Sequence, residues 1–342
     1  MNQYHQKSNE AFCNNIAWLL SSDIRIKSGQ DKGALYGWKN LDPVSFPFIY
    51  SEITGYAITA FCWIYSQLGN VSALQAARES TDWIIKNMHS YLLVARTCIL
   101  DDSDDLSKLF YAFDNGMIMI GILNMYKLTK DSIFLFLAEH MTKMIIKRFF
   151  DGSKLVARVD NSYKPVINNE KPNNGEIRKW SSISGAYHCK LLIGLLELSR
   201  VTNNKFYAQV SNSICDYAVK LQSSEGQFIT NPGSDIVFLH PHLYACEGLI
   251  YSGIMQSNEE HHRVGLRGIL WAIEQAELSK GGGLYSKTAG DAVEQSDCTA
   301  QLLRLLILCR SNLKKFINSS KLDDVTHRLH TRLLDFYITN GN

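Results

Sequence analysis

Four stretches of this chain end alike, and that self-similarity constrains its fold more than any other feature. AFCWIYSQLGN from Ala60, GILNMYKLTKD from Gly121, GLLELSRVTNN from Gly194 and GLIYSGIMQSN from Gly248 each run as an apolar helix into a polar turn. RLLILCRSN from Arg304 fits the same frame. In most of them a second, more amphipathic helix follows: SALQAARESTDWIIKNM, SIFLFLAEHMTKMIIKRF, KFYAQVSNSICDYAVKLQ and HHRVGLRGILWAIEQAE. Extended, glycine-punctuated returns then begin at Ser90, Asp151, Glu225 and Gly281, and Val94-Ala95-Arg96 echoes Val156-Ala157-Arg158. The anchors are 61, 73, 54 and 56 residues apart, too long and irregular for TPR or HEAT arrays. A helix that is apolar nearly all round is buried on both sides, whereas one with a polar face lies outside. The repeat therefore predicts an all-α, (α/α)5–6 toroid in a single domain spanning 1–342. Five hairpins are visible, and helices near Glu10–Leu20 and Asp324–Tyr337 can close a sixth. An open solenoid is the alternative, but it needs distinct polar capping ends, and none stands out.

The composition is that of an ordinary globular protein, 46% hydrophobic with a formal net charge of +2. Its basic residues are scattered, which argues against nucleic acid or an anionic membrane as partner. Apolar runs such as LLIGLL fall far short of the roughly 20 residues of a membrane span. MNQYHQKSNEAFCNN lacks the basic and apolar blocks of a secretory signal. Eight cysteines (Cys13, Cys62, Cys98, Cys189, Cys215, Cys246, Cys298, Cys309) form no CxxC pair, and most sit in apolar helical stretches, as reduced buried thiols do. Together these features predict a cytoplasmic protein. No metal or cofactor is expected: His240-Pro241-His242 and His261-His262 lack the i, i+4 spacing of a helical zinc site, and no phosphate-binding glycine loop occurs. Asp101-Asp102-Ser103-Asp104-Asp105 reads as a solvated loop. The oligomeric state is left open.

Counting seven residues back from each anchor gives Ile53, Asp114, Tyr187, Pro241 and Asp297, followed by Thr54, Asn115, His188, His242 and Cys298. These positions are the leading ends of the inner helices, which a toroid gathers at one mouth, where free N–H groups favour anions. Glu52, Asp114, His188, His242 and Asp297 are the candidate catalytic residues. Tyr56, Arg96, Arg158, Trp180, Tyr187, Tyr244, Glu247 and Gln301 are the candidate substrate contacts. Each has a plainer reading. Asp114 and Asp297 are equally well first-turn acids or N-caps, and His188 and His242 are equally well satisfied core histidines. Glu247 either lines the lumen or is paired structurally.

YSEITGY, FDNG, SGAYHCKLLIGLLEL, HPHLYACEGL and DCTAQLLRLL, spread between Tyr50 and Leu306, resemble the six-hairpin glycosidase-like superfamily. That resemblance implies an α/α toroid and membership among carbohydrate-active relatives: unsaturated glucuronyl hydrolases, N-acylglucosamine 2-epimerases, glucuronyl C5-epimerases and polysaccharide lyases. The zinc motifs of lanthionine cyclases are not apparent. Asp102-Ser103-Asp104-Asp105 matches the DxDD letters of class II terpene cyclases but lies in a polar stretch. The expectation is an enzyme using general acid–base chemistry on a uronate-containing oligosaccharide or glycan, as hydrolase, epimerase or lyase. The alternative is a non-catalytic toroid that binds a glycan or a protein.

Overall fold

The computed structural model describes residues 2–89, 93–95, 97–98, 109–166, 180–230, 236–279, 282–288 and 293–340. After α1 (Asn2–Ser21), inner and outer helices alternate. The first pair is α2 (Ser51–Leu68) with α3 (Val71–Lys86), and the second is α4 (Ala112–Thr129) with α5 (Ser132–Phe149). The third inner helix starts as a 3-10 helix, Ala186–Leu191, and continues as α6 (Leu192–Thr202) against α7 (Lys205–Val219). The fourth pair is α8 (Leu239–Gln256) with α9 (Glu259–Leu278). In the fifth, α10 (Ser296–Leu308) and the one-turn α11 (Arg310–Leu313) precede α12 (Ser319–Asn340). Successive inner helices pack on one another, and each also packs on its own outer partner. This is the all-α toroid that the repeat predicts. Its buried apolar side chains form one continuous cluster from Ala34 to Leu329.

The repeated anchors have a packing reason. A Cβ at Gly121 would stand 2.7 Å from the Gly55 carbonyl oxygen, and one at Gly248 would overlap the Cys189 carbonyl. Inner helices cross at these points with backbone on backbone, which any side chain would prevent.

The polar turns have a reason too. Gly69, Lys130, Asn203 and Ser257 close four inner helices in the left-handed conformation, at φ of 64, 62, 55 and 53°. The next residue in each case, Asn70, Asp131, Asn204 or Asn258, caps the outer helix. Their side chains accept N–H bonds from Ala73, Ile133, Phe206 and His261 at 3.0–3.1 Å. One residue ends a helix and its neighbour starts the next. The fifth unit departs from this: Cys309 stays at φ −100°, α11 intervenes, and Asn318 caps α12 by accepting from the Lys321 N–H at 2.7 Å.

The chain termini meet as expected, with Ser8 Oγ 3.3 Å from His330 Nε2 and Asn14 Nδ2 donating to the Tyr337 hydroxyl at 2.5 Å. Because α12 is already the outer partner of α10, α1 joins the ring as a single helix rather than as half of a separate hairpin.

At the other end, the returns are tied by two-residue antiparallel ladders. A hairpin of β1 (Asn40–Leu41) and β2 (Val44–Ser45) precedes β3 (Ile49–Tyr50), which pairs with β4 (Thr97–Cys98). β5 (Phe110–Tyr111) pairs with β6 (Arg158–Val159). Side chains also pin the returns. Thr54 Oγ1 accepts from the Leu35 N–H at 3.0 Å, Asn115 Oδ1 from Val94 at 2.8 Å, His242 Nδ1 from Phe228 at 3.2 Å and Thr299 Oγ1 from Leu284 at 2.9 Å. In four units, then, a buried polar residue in the first turn of the inner helix ties down the preceding return, satisfying an amide that has no ladder partner. None of the described helices is long and apolar enough to cross a membrane.

Candidate active site in the lumen

Side chains three or four residues apart share a helix face, and on the inner helices that spacing makes a polar stripe. Glu52 and Tyr56 supply it on α2, His240, Tyr244 and Glu247 on α8, and Asp297, Gln301 and Arg304 on α10. At the centre the Tyr56 hydroxyl donates to the Tyr244 hydroxyl at 2.9 Å. Burial pushes both phenols well above their usual pKa, and the negative charge of Glu52 pushes each in the same direction.

The aromatic wall around this pair is organised by Phe113. Its ring lies 5.0 Å from Tyr244, 5.5 Å from Tyr187 and 6.1 Å from Trp180, the last edge-on. Tyr187 is buried, and its hydroxyl donates to the Ile183 carbonyl at 3.0 Å. Trp180 is only half-buried, so part of its ring remains available.

Deeper along the stripe, Glu247 accepts from Lys190 Nζ at 2.5 Å and pairs with Arg304. Burial pushes the Glu247 carboxyl up, but Lys190 and Arg304 outweigh it and hold the group below the usual carboxylate range. Burial pulls Lys190 down, opposed by Glu247. The Lys190 ammonium also lies 5.5 Å from the centre of the Tyr244 ring. The Arg304 side chain is 55% exposed against 7% for Glu247, so this ion cluster has one open, cationic side. Further along, Glu197 accepts from Tyr251, Lys127 and Arg200 at 2.5, 3.0 and 3.1 Å. Burial raises its pKa, but these partners bring it to about 2.

At the rim, His240 Nδ1 lies 2.7 Å from Asp297 Oδ2. Burial raises the Asp297 carboxyl, yet His240 and the Cys298 N–H hold it low. The buried Cys298 thiol completes a group whose three donor atoms lie within 4.8 Å of one another.

The structure gathers Glu52, Tyr56, Tyr244, Glu247 and Gln301 along the stripe, with Trp180 and Tyr187 beside them and Asp297 at the rim. Both readings of Glu247 hold, since it lines the stripe and is paired. Asp114 is fully buried in the first turn of α4. His242 is a core histidine: Nδ1 accepts from Phe228, Nε2 donates to the Gly268 carbonyl at 2.9 Å, and burial lowers its pKa to about 4. With both ring nitrogens committed to backbone, it has none to offer a substrate. His188 is buried, with a pKa lowered by burial to about 3 and no hydrogen-bond partner for Nε2 among the described residues. Arg158 is half-buried opposite Tyr111 in the β5–β6 ladder, and Arg96 lies outside the described residues. Aligning single registers overlooked Lys190, Arg304, His240 and Phe113. The i, i+3/i+4 stripe running on from Asp297 and His240 was the signal for Arg304.

No family model matches the chain, and no curated protein matches it in sequence. Solved structures do match. The cellobiose 2-epimerase from Bacillus thermoamylovorans B4167 is 14% identical, over 96% of this chain and 88% of that one, with a TM-score of 0.74. The cellobiose 2-epimerase from Spirochaeta thermophila DSM 6192 is 12% identical over 98% and 85%, at 0.75. The unsaturated glucuronyl hydrolase from Bacillus sp. GL1, responsible for the degradation of glycosaminoglycan, is 13% identical over 97% and 84%, at 0.65. At these identities the likeness is one of fold alone, that of an α/α toroid.

Proposed function

We propose that the protein is a carbohydrate-active enzyme that moves a proton at a sugar carbon, as an epimerase or lyase does, with Glu52 as base and the Tyr56–Tyr244 pair as acid. The observation that carries this reading is the convergence of one carboxylate and two hydrogen-bonded phenols between aromatic faces. Proton transfer at carbon needs a base on one side and a donor on the other. Phenols held above their usual pKa stay protonated at neutral pH and can donate. Hydrolysis needs a carboxylic acid to protonate the leaving oxygen, and Glu247 and Asp297 are both held ionised. That favours proton abstraction over hydrolysis.

Trp180 and Tyr244 offer faces for the apolar side of a sugar, Gln301 a hydrogen bond, and the exposed part of Arg304 a charge-assisted contact to a uronate carboxylate. Epimerases and a glucuronyl hydrolase among the solved structures with this fold support the substrate class. Seven described cysteines are free and six of them buried, which supports a reducing, cytoplasmic setting.

The test is incubation with a panel of aldoses, cellobiose-type disaccharides and uronate oligosaccharides in D2O, followed by NMR. An epimerase should place solvent deuterium at one sugar carbon and a lyase should leave a new double bond, and Glu52→Gln should slow either change at least 100-fold while the fold is kept. Cleavage with neither deuterium at carbon nor a new double bond would point to a hydrolase, and binding without turnover to a recognition module. Either result would overturn this reading.

A further inference from the structure

We infer a metal site at the rim: His240, Asp297 and Cys298 bind one thiophilic divalent cation of the zinc type. His240 is the second residue of α8, and Asp297 and Cys298 are the second and third of α10. Two neighbouring inner helices therefore present an imidazole nitrogen, a carboxylate oxygen and a thiol sulfur within 4.8 Å of one another. That mixed donor set suits zinc. Magnesium and calcium take oxygen ligands, and a thiol would be wasted on them. Zinc bonds of about 2.0–2.3 Å in a tetrahedron set the donors roughly 3.3–3.6 Å apart, so the His240–Asp297 pair opens from 2.7 Å while the thiol closes from within 4.8 Å.

The donors are already oriented. The second carboxylate oxygen of Asp297 accepts from the Cys298 N–H at 2.9 Å, and the His240 ring stands edge-on to Tyr244 at 4.3 Å. These contacts do for the ligands what outer-sphere hydrogen bonds and packing do in zinc proteins. The His240–Asp297 pair would account for two of the three groups by itself. It does not account for the buried Cys298 thiol at the same point, which also donates to Gln295 Oε1 at 3.5 Å. Carboxylate and thiolate together neutralise the cation, so no net positive charge is set against the positive ends of the two helix dipoles. Three protein ligands leave the fourth position open, on the side where His240 and Asp297 are 21% and 55% exposed. Binding converts the Cys298 thiol to a thiolate and releases one proton to solvent, with no change of oxidation state. The inference does not rest on the acid–base reading, since it uses neither Glu52 nor the phenol bond.

Cobalt(II) is the probe, added to the full chain carrying Cys13→Ser, which removes the one exposed thiol among the described residues. One cobalt per chain should give tetrahedral visible bands and a thiolate charge-transfer band, both abolished by one equivalent of zinc. Zinc titrated in two buffers of different ionisation enthalpy should release about one proton per metal. Cys298→Ser should keep its circular dichroism, lose the charge-transfer band and bind zinc at least 10-fold more weakly. His240→Gln and Asp297→Asn should each weaken zinc at least 10-fold, and Glu52→Gln should bind as the parent does. A charge-transfer band that survives Cys298→Ser, or zinc affinity unchanged in all three ligand variants, would mean an adventitious ion only and would overturn the proposal.

Discussion

The Tyr56 and Tyr244 hydroxyls meet at 2.9 Å, although α2 and α8 are separated in the ring by α4 and α6. The bond therefore spans the lumen and makes two distant helices into one proton-donating unit. Groups that act as a unit are not additive. Tyr56→Phe and Tyr244→Phe should each lower kcat at least 100-fold, and the double variant should be no slower than the worse single one. Each should cost only about 1 kcal/mol of stability. Steady-state kinetics and urea unfolding of the three variants check both statements.

Glu247 is nearly fully buried between two cations, and the Lys190 side chain beside it is only 14% exposed. Removing one member of a buried pair strands the other charge, whereas replacing both does not. Glu247→Leu should cost about 3–5 kcal/mol, and Lys190→Met combined with Glu247→Leu should recover most of that. Denaturant midpoints of the single and double variants decide it.

His242 carries a pH signature. Its folded-state pKa is depressed to about 4 from 6.5, so the unfolded chain binds the proton first. Stability is full above pH 6.5 and is lost as pH falls through about 4, by about 3 kcal/mol in all. His242→Gln should lose stability at pH 7.5, yet its midpoint should fall less between pH 6.5 and 4 than that of the parent. A pH series of urea melts for both proteins measures the difference.

Lys130 ends α4 in the left-handed conformation, where a side chain is unfavourable. Lys130→Gly should stabilise by about 0.5–1 kcal/mol, and Asp131→Ala, which removes the adjacent cap, should cost about 1 kcal/mol. Opposite shifts in Tm are expected from two neighbouring substitutions.

The toroid was legible because apolar inner helices, left-handed ends and caps recur in a visible frame. The site was legible only in part. Residues adjacent in sequence at a helix start differ by about 100° around the axis, so Thr54, Asn115 and His242, which pin returns, look in sequence like Glu52 and Asp297, which face inward. Both roles call for polar side chains, and only the direction separates them. His240 meets Asp297 and Cys298 from another helix, which spacing rules for local zinc motifs do not reach. Lys190 sat in the third unit, whose 3-10 start shifts the count away from α-helical registers.

The inner-to-outer joints that combine a left-handed residue with a capping neighbour leave almost no slack on that side of the ring. Apart from the α10-to-α12 connection that carries α11, the longer connections lie on the opposite side, where the returns run. An inserted segment is therefore tolerated where it can reach the ligand and rejected where it would disturb the hairpins. Grafting new recognition loops onto this scaffold is a matter of choosing a return, and the toroid beneath should hardly register the change.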